Sequence, residues 1–168
     1  TAFAGGKFTA SIPAEQVIEQ GDSLATNALL AMAQPVEIGE GQVQFAFKNV
    51  CGLIRFEISK AGQVKEFIIT GNKGEKFAGE GVIGFETRIE NEVEKQVPVF
   101  APSENAATVV KVRPAGENAT FAKGTYYAAV APVTFAEGFS VTLLTVNDAA
   151  TVSKGTEKEM TVPRNSGM

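Results

Sequence analysis

The side-chain alternation between residues 42 and 58 constrains the fold of this chain more than any other feature of its sequence. In Gln42-Val43-Gln44-Phe45-Ala46-Phe47-Lys48 the large apolar residues fall on odd positions. That period of two predicts a half-buried strand with Val43, Phe45 and Phe47 facing inward. Ile54, Phe56 and Ile58 alternate with Arg55 and Glu57 in the same way, but on even positions. Between them, Asn49-Val50-Cys51-Gly52 must reset the register, and Gly52 is a natural place for a bulge or break. A helix cannot satisfy these two patterns, because its side chains repeat every 3.6 residues.

Similar short segments follow, separated by Gly, Pro and Asn. Val64–Thr70, Gly81–Arg88, Ala107–Arg113, Thr125–Pro132, Phe139–Val146, Thr151–Ser153 and Glu159–Val162 all read as strands. Many short strands with turns between them predict an all-β chain, an antiparallel β-sandwich with little or no helix. The Gly-rich stretches Gly71–Gly74 and Gly79–Gly84 lack the spacing of phosphate-binding loops and read as turns. One segment departs from the pattern. Asp22 or Ser23 could cap a short helix with Leu24, Ala28, Ala31 and Met32 on one face, or the segment could cross extended with Leu29-Leu30 buried. Residues 33–41 read as a connection. The expected organisation is therefore 1–39 as lead-in strands or the end of a preceding domain, and 40–168 as the β-sandwich domain.

Composition narrows the chemistry. Among 168 residues there is no His and no Trp, with one Cys and a net charge of −4. Without His, the Ser-His-Asp and Cys-His nucleophiles and His-containing zinc sites are excluded. The basic residues are scattered, which argues against nucleic acid as a partner. The run Glu90-Asn91-Glu92-Val93-Glu94-Lys95 lacks calcium-loop spacing and reads as a solvated face or turn. Glu is abundant, yet nothing positions a catalytic pair. The expectation is no enzyme, no catalytic residue, no cofactor and no metal site.

Cys51 lies in the apolar run Val50-Cys51-Gly52-Leu53-Ile54, so a buried, inert thiol is expected. Tyr126 and Tyr127 are strand neighbours and must point to opposite faces, one into the core and one outward. Asn118-Ala119-Thr120 matches an N-glycosylation acceptor. Asp22-Ser23-Leu24 is similar to the O-glycosylation acceptor of Bacteroidetes, with Ser23 as its site. No apolar run approaches 18 residues, so no membrane span is expected. The chain begins at Thr1, which fits a removed export signal or a piece of a longer chain.

Taken in order, these segments resemble a known family. Phe45-Ala-Phe-Lys-Asn-Val-Cys-Gly-Leu-Ile-Arg-Phe56, Val64–Gly71, Lys76-Phe-Ala-Gly79, Gly124-Thr-Tyr-Tyr-Ala-Ala-Val-Ala-Pro132, Glu137–Leu143 and Val162-Pro-Arg-Asn165 resemble the fimbrillin-like surface proteins of Bacteroidetes. Phe8 to Met32, with Ile12-Pro13 and Gln16, resembles the segment that precedes them. The resemblance implies transthyretin-like β-sandwich domains in a secreted, lipid-anchored precursor on the outer face of the outer membrane. It implies a fimbrial (pilus) subunit or pilus-related protein, whose partners are other subunits joined by β-strand addition after proteolysis frees a groove. The alternative on the same fold is an adhesin module that binds a glycan or host protein, favoured by an exposed aromatic patch near Tyr126 and Tyr127.

Overall fold

The computed structural model describes residues 3–4, 7–34, 41–90, 92–147 and 150–165. Among them there is no helix, and the fold is all-β and sandwich-like. It follows that none of the described residues form a helix long and apolar enough to cross a membrane.

One sheet contains β14 (Ala150–Gly155), β13 (Phe139–Thr145), β7 (Val64–Gly71), β10 (Val109–Pro114) and β3 (Glu15–Ile18), in that order. Its pairs are antiparallel except β10 with β3, which run parallel with Lys111 opposite Glu15. A parallel neighbour needs a long crossover, and here the whole chain from Glu19 to Thr108 separates the two strands. A second sheet orders β1 (Phe3–Ala4), β2 (Lys7–Ile12), β8 (Gly79–Glu90) and β9 (Val93–Pro102). Three antiparallel pairs complete the set. These are β6 (Gly52–Ile58) with β11 (Gly124–Val130), β12 (Val133–Phe135) with β15 (Met160–Val162), and β4 (Ala31–Ala33) with β5 (Phe47–Asn49).

The core joins these layers. Phe56 of β6 packs on Phe67 of β7 with ring centroids 4.0 Å apart, and Phe121 meets both edge-on. Phe77, Phe135 and Phe139 form a second aromatic group. Ile12, Ile18 and Met32 belong to the same buried cluster, so strands from residues 7–34 share the core of the rest. β6 behaves as its alternation requires, with Ile54 and Ile58 buried and Arg55 and Glu57 exposed.

Several expectations are corrected. Residues 42–46 are not a strand, and pairing begins only at Phe47. Phe45 and Phe47 are 56% and 70% exposed, not inward. The register does reset at the buried Val50 and Cys51, and Gly52 then opens β6. A Cβ on Gly52 would lie 2.6 Å from the Pro163 carbonyl oxygen, so close approach of the returning chain explains that glycine. Gly79–Gly84 is not a turn but the first half of β8. Gly81 leaves room there for the Phe100 ring of β9, which a Cβ would strike. No strand was expected over residues 93–102, because Glu94, Lys95, Pro98 and Pro102 mask its alternation. β9 pairs with β8 alone in its sheet, and an edge strand tolerates proline. Glu90 and the residues Val93–Lys95 of the charged run lie at the end of this hairpin, with Glu90 opposite Val93. The connection expected over residues 33–41 lies mostly outside the described residues.

The segment from Asp22 to Leu30 crosses in turns, not as a helix, and it does not bury Leu29-Leu30: Leu29 is exposed and Leu30 half-buried. Ala28 N–H donates to Ala25 O at 3.1 Å, and both alanines are fully buried. Ser23 O accepts from Tyr127 N–H at 2.8 Å and Leu30 O from Val50 N–H at 2.8 Å, so the segment spends its backbone groups on β11 and on the chain ahead of β6. Those long-range partners outweigh a helix propensity worth a few tenths of a kcal/mol per residue.

Candidate functional site

One surface feature of the described residues is markedly apolar. Among the described residues β4 pairs with β5 alone, and residues of both line a groove together with residues of β2 and β8. The groove has a volume of about 510 Å³. Phe8 and Ala10 of β2 and Ile83 of β8 line one wall, with Phe8 directly opposite Ile83 in the strand register. Leu30, Ala31 and Ala33 line the other, and Phe45 and Phe47 stand at its side with ring centroids 6.5 Å apart. Among the described residues Thr9 and Gln34 supply the only polar side chains of the lining. Such a groove can hold apolar side chains.

The other candidates stand apart from it. Cys51 is a free, buried thiol whose Sγ donates to Ala28 O at 3.6 Å and accepts from Leu30 N–H at 3.5 Å. Burial pushes its pKa up, and the Leu30 N–H pulls it partly back. An inert core thiol is the reading those contacts support. Tyr126 and Tyr127 are both half-buried, which corrects the expected split of one inside and one outside. Tyr126 packs on Phe56 and Phe121 and donates its hydroxyl to Ala122 O at 3.1 Å, while the Tyr127 N–H is taken by Ser23. The exposed aromatic pair of this surface is instead Phe45 with Phe47.

Ser23 is exposed, as is Asn118, which lies in a turn with φ +56°. Among the described residues no group of three or more His, Cys, Asp or Glu could hold a metal ion. The groove itself was hidden in the sequence. A strand whose apolar face meets its own core and one whose apolar face lines an open groove share the same alternation. Comparison with protein-family models, with curated proteins and with solved structures gives no match.

Proposed function

We propose that this chain is a non-enzymatic cell-surface structural protein of the fimbrillin-like kind, a fimbrial subunit or pilus-related protein that assembles by strand addition. The observation that carries this reading is the apolar groove lined in part by β4, which has no second strand neighbour among the described residues, with Phe45 and Phe47 exposed next to it. A strand edge offers backbone N–H and C=O groups for pairing. A neighbouring apolar groove then selects alternate side chains of the incoming strand. Burying two phenylalanine rings would add about 2 kcal/mol or more each to such an association. The ordered resemblance of the strand segments to fimbrillin-like proteins supports the same reading.

The test is association in solution. Sedimentation velocity should show concentration-dependent oligomers that the double variant Phe45→Ser/Phe47→Ser reduces to monomer. A synthetic peptide copying Lys7–Ile12, whose Phe8, Ala10 and Ile12 alternate, should compete with that association. A chain that stays monomeric at all concentrations and binds no such peptide would sink the proposal.

A further inference from the structure

A second pocket has the opposite chemistry. Where β5, β9 and the segment Pro163–Asn165 converge, a recess of about 360 Å³ is lined by Lys48, Lys95 and Arg164, with Asn49, Asn165 and Phe47 beside them. Among the described residues no carboxylate lines it, although the chain as a whole carries a net charge of −4. Two of its cations are held in place by the backbone. Lys48 Nζ donates to Gln96 O at 2.7 Å, and Arg164 Nη1 donates to Asn49 O at 3.1 Å. A carbonyl oxygen orients an ammonium or guanidinium without neutralising it, and neither side chain is paired with a carboxylate among the described residues. Lys48 keeps two further N–H donors and Arg164 most of its planar fork.

The floor is similarly prepared. Asn165 takes the left-handed conformation at φ +57°, which Asn tolerates better than most residues. Its backbone N–H donates to Cys51 O at 2.9 Å, and its side-chain Oδ1 accepts from Asn49 Nδ2 at 3.1 Å. Lys48 and Arg164, each bonded to a backbone carbonyl, therefore present positive charge to the recess.

We propose that this recess binds an anionic saccharide, with its carboxylate or sulfate group between Arg164 and Lys48. A guanidinium fork matches either oxyanion in two parallel hydrogen bonds, and the ammonium adds a point charge. The Asn49–Asn165 amides offer donors and acceptors of the kind sugar hydroxyls use. The Phe47 ring supplies an apolar flank for the sugar's C–H face. The volume suits one or two sugar rings, at the lower end of ordinary ligand pockets of about 300–1,000 Å³.

Isothermal titration calorimetry of the intact chain tests this with four probes of similar size: a glucuronate-containing disaccharide, a sulfated disaccharide, a neutral disaccharide and a short oligo-glutamate peptide. The expected result is binding of at least one acidic sugar, weakened by added salt, with no binding of the neutral one. Which acidic sugar binds identifies the oxyanion. Lys48→Gln and Arg164→Gln should each weaken that binding about tenfold, the loss of one charge-assisted contact. Lys60→Gln, outside the recess, should leave it unchanged, and thermal unfolding of all three variants should match the parent. Equal binding of neutral and acidic sugars would overturn the proposal. So would binding of the peptide alone, binding of no probe, or acidic-sugar binding that survives both recess substitutions.

Discussion

Gln16 replaces a strand neighbour for Ala129. Its Nε2 donates to Ala129 O at 2.6 Å while its Oε1 accepts from Ala129 N–H at 2.9 Å, across 113 residues of sequence. The same Nε2 donates to Pro13 O at 3.0 Å. Gln16 is the one buried polar side chain among the described residues, and it links β3 in one layer to β11 in another.

Replacing Gln16 with Leu keeps the volume but strands both backbone groups of Ala129 in the core. Each unsatisfied group costs about 1–3 kcal/mol. Urea denaturation should therefore show a loss of about 2–4 kcal/mol with an unchanged m-value. A loss below about 0.5 kcal/mol would mean that Ala129 finds other partners.

Phe77 and Phe47 are the same residue type in opposite environments. Phe77 is fully buried against Phe135 with ring centroids 5.1 Å apart, whereas Phe47 is 70% exposed. Phe77→Ala should cost about 3–5 kcal/mol of stability. Phe47→Ser should stay within about 0.5 kcal/mol, as exposed positions do. Equal effects on the denaturation midpoint would contradict the placement of Phe47.

Gly81→Ala should destabilise by about 1–3 kcal/mol through overpacking, since its Cβ would strike the Phe100 ring and lie 2.6 Å from Ala101 O. Phe100→Leu relieves part of that clash. A double-mutant cycle should then give a combined cost smaller than the sum of the single ones. Strict additivity would show that the ring is not what Gly81 accommodates.

The Cys51 pKa is raised by burial, so the sign of its pH effect follows. The unfolded thiol ionises first, near its ordinary value of about 8.5. The stability contribution is complete below that value and is lost as pH rises through the folded pKa. Stability measured by denaturant should therefore fall from neutral to alkaline pH, and Cys51→Ala should remove Cys51's part of that fall. Thiol reagents should react with the native chain far more slowly than with the unfolded one.

Much of the fold was legible in local pattern. β6, β7, β10, β11 and β13 were each readable from alternation and from their bounding turns. β9 was not, because its prolines and charges belong to an edge strand and imitate a loop. The crossing at residues 22–30 was misread in both of its options, since it is no helix and does not bury Leu29. Its Ala-rich composition favours a helix locally, but its hydrogen bonds go to Val50 and Tyr127. The inward face assigned to Phe45 and Phe47 failed for a related reason. Alternation says which residues share a face, and not what that face meets.

The sequence by itself determined an all-β chain without histidine chemistry, with strands set by the period of their side chains. That information is local, carried by neighbours two residues apart. Only the tertiary structure decided that Phe45 and Phe47 border an open groove, that Gln16 serves Ala129, and that Lys48 and Arg164 meet in one recess. Each of those depends on which distant segments lie side by side, and strand order is a property of whole-chain packing that no local period encodes.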